Sequence, residues 1–336
     1  MRDQRIDFIK GMLMWCVVYG HAVNTLLCGT SYAPVWLHTF VRTFDMPFFM
    51  VLSGCFLRKS LERRGAFDVF INRLSMILLP IAVWTLIRGH VVFVAYYFLW
   101  AVLMSSIVCI VGSCVASVLP GRGGRLVEFL FYVAVAVLLH VVELPWNLFY
   151  LFPFFVVGYY ADGRFKVSRL GFCIVSAVFV VGLCFWNVSY RPWAVGALAW
   201  KDSSAAFVVY MYRFALGVAG VYVMAKVFDV IWGVVNNSVS AIAQMIAGWG
   251  RETLALYILQ SIVVERIGTA ICSAAYAHHP ITLTQPVVNL IGYFIAPLLS
   301  ALVIISLMFV TRKIKSLRIL KYAFGFKART KQTGER

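Results

Sequence analysis

The stretch that decides the fold is RIDFIKGMLMWCVVYGHAVN, residues 5–24, an apolar segment with a few polar interruptions. If it forms one α-helix, Lys10 and His21, 11 residues apart, project from one face and lie about 16 Å apart along the axis. Asn24 falls near the same line. Because an ionisable side chain at bilayer depth costs about 2.5–3.5 kcal/mol, such a face turns toward protein or a wet cavity. The stretch therefore predicts a membrane helix whose polar stripe lines the inside of a bundle.

The composition of the whole chain is that of a membrane protein. Hydrophobic residues make up 62% of it, charged residues make up 13%, and the mean hydropathy is +0.88. Apolar stretches of about 20 residues, the length that crosses a bilayer as a helix, recur along the chain. We predict an all-α polytopic membrane protein, a bundle of about ten transmembrane helices. The predicted spans are residues 8–28, 34–57, 69–88, 92–119, 126–142, 144–161, 170–187, 205–231, 246–267 and 286–310.

These spans use nearly all of the 336 residues and leave no room for a separate globular domain. We predict one transmembrane domain, residues 1–311, followed by a basic cytoplasmic tail, residues 312–336. The first span resembles a signal peptide, because Arg2, Arg5 and Lys10 precede an apolar core. No small-residue cleavage site follows it, so we expect the span to stay attached.

The positions of lysine and arginine predict the orientation, since these residues concentrate in cytoplasmic loops. With the N-terminus in the cytoplasm, most of them fall in inner loops and in the C-terminal tail. Both termini are then cytoplasmic, and residues 188–204 and 268–285 are outside. The same bias, together with binding of the tail to anionic lipid, accounts for the net charge of +17. No basic folded face is present that would indicate nucleic-acid binding.

The cysteines and glycines indicate no cofactor site. The eight cysteines form no CxxC pair and have no regular spacing, so we expect them to pack in apolar helices and predict no metal site. The GRGGR segment at residues 121–125 is too short for a phosphate-binding loop and is expected to be a cytoplasmic turn.

Few ionisable side chains fall deep inside the predicted spans. His21 is the only histidine well within a span, and Asp45 is the one acid clearly within the membrane. The deep cations are Arg42 and Arg213. A membrane histidine on the Lys10 stripe indicates function, because it is costly unless it is used. Asp45 lies within a few residues of the depth of His21, which allows a contact between them. The structural alternatives are that Arg42 and Asp45, at i and i+3, neutralise each other, and that Arg213 caps backbone carbonyls.

Several segments, taken together and in order, resemble the acyltransferase type 3 family. They are RIDFIKG with His21 after it, DMPFFMVLSGCFL at 45–57, the run from Arg73 to Pro80, YYFLW at 96–100, FYLFPFFVVGYYA at 149–161 and GRETLALYILQ at 250–260. The resemblance implies a ten-helix membrane enzyme that transfers acyl groups, mostly acetyl, to extracytoplasmic carbohydrates and related acceptors.

The resemblance also assigns residues. In the family a basic residue lies eleven positions before an essential histidine, and Lys10 and His21 hold those places. Two positions depart from the family pattern. Asp45 stands where a histidine usually precedes MPxFFxxSG, and Gln260 stands where a histidine often ends the G…TLxIY segment. These departures argue against a scheme with two catalytic histidines.

The expected chemistry follows from the resemblance. A cytosolic acyl-CoA, acetyl-CoA above all, is the expected co-substrate, with no permanently bound cofactor, and the expected location is the bacterial plasma (inner) membrane. We expect His21 to act as the general base, a role that suits a neutral imidazole, and Asp45 to orient it. The cations expected at the donor phosphates are Lys10, Arg5, Arg58 and Arg73. The residues expected to contact the glycan or lipid-linked sugar acceptor are Arg42, Arg213, Asn24, Tyr257 and Gln260.

Two other classes of protein fit parts of the pattern. A transporter or flippase that exports a glycan also places polar groups deep in a bundle, and it would depend on an ion gradient with no acyl donor. A receptor or scaffold would use the aromatic residues only for packing, but the polar stripe on residues 5–24 argues against it.

Overall fold

The computed structural model describes residues 3–27, 35–88, 96–119, 121–141, 148–161, 169–186, 203–278, 283–317 and 324. Every regular element in these ranges is a helix, which confirms the all-α prediction. Seven of the described helices are long and apolar enough to cross a membrane, and two shorter ones, Leu148–Ala161 and Arg169–Cys184, are also apolar. The fold is that of a polytopic membrane protein, while the total of ten spans stays a prediction.

The helices are numbered here in chain order. They are α1 Gln4–Leu26, α2 Trp36–Leu61, α3 Ala66–Arg73, α4 Leu79–Arg88, α5 Tyr97–Ser117, α6 Arg122–Val141, α7 Leu148–Ala161, α8 Arg169–Cys184, α9 Ser203–Ser238, α10 Ser240–Arg251, α11 Thr253–Gln260, α12 Thr269–His278, α13 Gln285–Leu290 and α14 Ala296–Ser316. Short π-helical segments join three pairs of helices into continuous rods. These segments are Leu74–Leu78 between α3 and α4, Ser261–Gly268 between α11 and α12, and Ile291–Ile295 between α13 and α14.

Helices α1 and α2 run antiparallel. Gly20, late in α1, lies against the guanidinium of Arg42, early in α2. Lys10, early in α1, lies over the ring of Phe56, late in α2. These contacts define two ends of the bundle, called below the Lys10 end and the His21 end.

The predicted ninth span, residues 246–267, has the wrong bounds. The backbone of Glu252 leaves the helical region, with φ −111° and ψ 18°, so α10 ends at Arg251 and α11 begins at Thr253. The long apolar rod therefore runs from Thr253 to His278, into the loop predicted at 268–285.

The predicted domain boundary after residue 311 falls inside a helix, because α14 continues to Ser316. Of the predicted tail, residues 318–323 and 325–336 lie outside the described residues, as does most of the predicted outer loop 188–204.

Helix α1 is held in the bundle by backbone contacts at glycine. A Cβ on Gly11 would collide with the carbonyl of Ile246 in α10, and one on Gly250 would collide with the carbonyl of Asp7 in α1. Small residues allow helices in membranes to approach this closely. The contact fixes the first half of α1, which carries Lys10.

Helix α2 makes a similar contact with α7. A Cβ on Gly54 would collide with the carbonyl of Phe155, and one on Gly158 would collide with the carbonyl of Val51. The Cys55 thiol donates to the carbonyl of Gly158 at 3.0 Å. The SGC part of the motif therefore packs α2 on α7 and leaves the opposite side of α2, with Phe49 and Ser53, free to line a cavity.

Candidate active site

The candidate site is centred on His21, in the second half of α1. Its Nδ1 lies 3.2 Å from Oε1 of Glu265, and the two side chains are 17% and 31% exposed. The same carboxylate oxygen accepts a hydrogen bond from Nε2 of Gln260 at 3.1 Å. Gln260 is fully buried. The histidine thus has a carboxylate partner that is itself held by a neighbouring amide.

This pairing depends on the π-helical segment Ser261–Gly268. In an α-helix, residues five apart point about 140° apart, whereas a π-helix closes its turn at i+5 and brings them to one side. Gln260 and Glu265 contact each other for that reason. The hydroxyl of Thr25 donates to the carbonyl of Val264 at 3.2 Å and ties the segment to α1.

Asp45 has different partners from those expected. Its Oδ1 accepts from the backbone N–H of Met46 at 2.7 Å, and its Oδ2 lies 3.5 Å from Nη1 of Arg42. No hydrogen bond or ion pair joins Asp45 to His21 in the part of the chain that the structure describes. The structure therefore shows the i,i+3 pair that the sequence offered as the alternative. Arg42 also contacts α1 beside His21, because its Cζ is 3.2 Å from the position that a Cβ on Gly20 would take.

Arg213, on α9, forms an aromatic site of its own. It is only 3% exposed, and its Cζ lies 3.9 Å from the ring centroid of Trp186 and 5.7 Å from that of Tyr150. Its Nε and Nη1 have no hydrogen-bond partner among the described residues. Among the described residues, those two nitrogens therefore cap no backbone carbonyl, the role that the structural alternative gave to Arg213.

A cavity of about 390 Å³ lies between α1, α2, the α3–α4 rod, α5 and α11. Its basic and polar lining comes from residues at the Lys10 end, and its deeper lining is apolar apart from Ser53 and Tyr257. The lining includes Lys10, Val17, Met46, Ser60, Arg64, Asn72, Arg73, Thr253, Leu254 and Tyr257. Ser60 and Met46 are 14 residues apart on α2, so the cavity extends about 21 Å along that helix. It reaches Met46, next to Asp45, and Val17, about one turn before His21.

The four expected donor-binding cations are not all at this cavity. Lys10 and Arg73 line it. Arg58 is not among its lining residues; it pairs with Glu62 at 2.9 Å, and its Nη1 donates to the hydroxyl of Tyr159 at 3.4 Å. Arg5 forms an ion pair with Asp229. Neither Arg5 nor Asp229 is among the residues that line the cavity.

The expected acceptor-binding residues are also divided. Tyr257 lines the cavity, and its ring packs at 5.8 Å from that of Phe98. Gln260 holds Glu265 from a buried position, while Asn24 is exposed near the end of α1. Arg42 and Arg213 occupy the places described above.

Sequence reasoning missed three residues of this region. Glu265 seemed to belong to a span end, and only the π-helical register turns it toward His21. Arg64 follows α2 and lines the cavity. From the sequence it was only one of the loop arginines that predict the orientation. Trp186 carried no motif, and no pattern in the sequence could have paired it with Arg213.

A family model for the acyltransferase domain, type 3, matches residues 3–309. The chain belongs to the acyltransferase type 3 family. It is similar to a nodulation protein NolL of Mesorhizobium japonicum, with 25% identity over 298 residues that cover 78% of this chain and 76% of the relative. It is also similar to a nodulation protein NolL of Sinorhizobium fredii, with 23% identity over 293 residues and 78% of each chain covered. No solved structure gives a significant match.

The family confirms that the chain is a membrane acyltransferase, and the geometry at His21 suits that chemistry. A carboxylate that accepts from Nδ1–H leaves the lone pair on Nε2 of a neutral imidazole. Such an imidazole can accept a proton from an attacking hydroxyl, and the carboxylate stabilises the imidazolium that forms. In this acyltransferase the carboxylate in that position is Glu265.

Proposed function

We propose that this acyltransferase moves an acyl group, acetyl in the first instance, from a cytosolic acyl-CoA to a hydroxyl of an extracytoplasmic or lipid-linked glycan. The observation that carries the proposal is the cavity that runs from three basic residues, Lys10, Arg64 and Arg73, to Val17, about one helical turn from the His21–Glu265 pair. We assign the Lys10 end to the cytoplasmic side of a bacterial plasma membrane, in agreement with the positive-inside rule.

The donor binds with its phosphates at the Lys10 end and its thioester near the deep end of the cavity. Ammonium and guanidinium groups are the usual partners of phosphate oxygens, and Ser60 and Asn72 add hydrogen-bonding groups beside them. The rise of about 16 Å along α1 from Lys10 to His21 suits the pantetheine arm of the donor. The apolar middle of the cavity accommodates that arm.

His21 then acts as the general base. Its Nε2 takes the proton of the acceptor hydroxyl as the oxygen attacks the thioester carbonyl. The carbon–sulfur bond breaks, and the departing thiolate takes a proton from the imidazolium, which restores neutral His21. Glu265 orients the ring and stabilises its charged form, and Gln260 holds Glu265 in place. We assign this orienting role to Glu265 in preference to Asp45, whose Oδ2 faces Arg42.

The acceptor approaches from the His21 end. An aromatic ring suits the apolar face of a sugar, and the half-buried Trp186, which lies on the buried guanidinium of Arg213, is the part of this cluster that can meet the acceptor. Arg42, whose guanidinium lies against Gly20, supplies a cation close to His21. Asn24 supplies a further polar side chain at this end of α1.

The proposal is tested with purified protein in proteoliposomes, supplied with isotopically labelled acetyl-CoA and a glycan acceptor. His21→Ala should lower transfer by about 10²–10⁴-fold, the contribution typical of a general base. His278→Ala is the matched control, because it removes an exposed imidazole at the end of α12. Transfer at the parental rate in His21→Ala would show that the base lies elsewhere. A parent protein that consumes no donor but moves a glycolipid across the bilayer would favour the transporter.

A further inference from the structure

A second cavity, of about 540 Å³, lies between α10 and the last turns of α14 at the Lys10 end. It is separate from the donor cavity and has no role in the mechanism above. One part of its lining is apolar and includes Met245, Ile305, Met308 and Phe309. The other part is basic and includes Arg251, Arg312 and Lys315. We call it the α10–α14 groove.

The apolar part of the groove continues along the outer face of α14. Leu298, Leu302, Ile305, Phe309 and Arg312 follow each other at intervals of four, three, four and three residues, which places them on one side of the helix. Leu298, Leu302 and Phe309 are 67%, 62% and 64% exposed and Ile305 is half-buried, so most of this side is uncovered. The stripe ends at the guanidinium of Arg312, which lies over the ring of Phe309 at 5.8 Å.

The length of this stripe matches one half of a bilayer. Leu298 and Arg312 are 14 residues apart, a rise of about 21 Å. Half of the hydrocarbon core is about 15 Å, and the headgroup layer adds several more ångströms. The stripe therefore offers an apolar face at the depth of acyl chains and a cation at the depth of headgroups.

The charges at the groove are complementary to an anion. Arg251, Arg312 and Lys315 bring three positive charges, and Glu252, which pairs with Lys315, brings the one negative charge of the lining. The net charge of the lining is therefore +2. Helix α10 buries Ala243 and Ala247 but exposes Ile242 and Met245, as expected for a helix that lies at a membrane interface.

We propose that the α10–α14 groove binds an anionic phospholipid of the leaflet at the Lys10 end. The phosphate is bound by Arg251 and Arg312, and one acyl chain lies along the stripe formed by Phe309, Ile305 and Leu302. A lipid is the occupant that fits both features, because it alone joins an anion at headgroup depth to an apolar chain that follows a membrane-facing helix.

The position of α10 gives this lipid a structural consequence. Gly250 packs against the backbone of Asp7 and Gly11, on either side of Lys10, and Thr253 and Leu254 of the next helix line the donor cavity. A headgroup bound to Arg251 therefore braces the segment that closes the donor cavity from this side. Bound lipid should raise the thermal stability of the full-length protein.

The test is native mass spectrometry of the delipidated full-length protein, titrated with phosphatidylglycerol and phosphatidylcholine that carry the same acyl chains. The parent should retain phosphatidylglycerol at least fivefold better than phosphatidylcholine. Arg312→Gln should lose most of that preference, and Arg312→Lys should keep at least half of it. The matched control is Lys313→Gln, an equal loss of charge one residue away and outside the groove lining, which should leave the preference within twofold of the parent.

Three outcomes would overturn the proposal. Unchanged phosphatidylglycerol retention in Arg312→Gln would mean that the groove does not bind the headgroup. An equal loss in Lys313→Gln would mean that net charge alone attracts the lipid. Displacement of phosphatidylglycerol from the parent by coenzyme A, with Arg312→Gln raising the KM for the donor, would assign the cations to the donor instead. The retention measurement needs no acyl transfer, so its result is independent of the proposed reaction.

Discussion

Replacing Glu265 by Gln keeps the size of the side chain and removes the charge that faces His21. At a separation of 3.2 Å and an effective dielectric constant of about 20, a carboxylate and an imidazolium attract each other by about 5 kcal/mol. Solvent reaches both groups, so we take the smaller value of about 1.5–3 kcal/mol that is typical of a charge-assisted hydrogen bond. With about 1.4 kcal/mol for each factor of ten in rate, kcat should fall by about 10- to 150-fold.

The measurement is steady-state transfer from labelled acetyl-CoA over a range of donor concentrations, which gives kcat and the KM for the donor separately. Glu265→Gln should lower kcat and leave the donor KM nearly unchanged, because Glu265 does not line the donor cavity. Asp45→Asn is the comparison. Since Asp45 pairs with Arg42, this change should lower the yield of folded protein, and neutralising Arg42 as well should restore part of the yield. A parental kcat in Glu265→Gln, together with a large loss of kcat in folded Asp45→Asn, would refute the assignment and return the orienting role to Asp45.

Three further predictions concern the donor, the packing and the topology. Lys10→Ala should raise the Kd for acetyl-CoA by about tenfold or more, because one charge-assisted contact is lost. The Kd of Lys10→Arg and of the control Lys313→Ala should stay near that of the parent. An unchanged Kd for Lys10→Ala in isothermal titration would show that Lys10 does not bind the donor. Gly158→Ala should destabilise the protein by about 1–3 kcal/mol or more, because a Cβ there meets the backbone of Val51. Gly233→Ala is the control, because a Cβ at that position has open space. Equal melting temperatures of the two variants in detergent would contradict the close α2–α7 contact. A reporter fused after Arg336 should be active only in the cytoplasm, and activity outside it would reverse the orientation.

Much of the architecture follows from the sequence, because hydropathy and helix length are local properties. The length and composition of the apolar stretches predicted a helical membrane bundle, and the polar stripe on α1 predicted which side of that helix faces inward. The break at Glu252 was not predictable in the same way, since hydropathy is continuous through the residues on either side. There the close approach of Gly250 to the backbone of α1 accompanies the change in backbone conformation.

The candidate site was only partly predictable. His21 and Lys10 stood out because ionisable groups are rare at their depth. Depth alone offered Asp45 as the partner of His21, although Arg42, three residues earlier on the same helix, already paired with it. The carboxylate that does face His21 is far away in sequence and is turned by a local change in helical register, which hydrophobic periodicity does not report.

The π-helical segment Ser261–Gly268 makes the number of residues in that stretch a determinant of the site. Inserting one residue, for example beside the half-exposed Val263, would place Gln260 and Glu265 six residues apart, a spacing that neither an α-helix nor a π-helix brings to one side. Glu265 would turn away from His21. Thr269, which lies 3.3 Å from the hydroxyl of Thr25, and Tyr276, which donates to the carbonyl of Leu26, would leave α1 with it. An insertion that changes no polar side chain would thus separate the histidine from its carboxylate, so this segment should tolerate substitutions on its lipid face far better than an inserted residue.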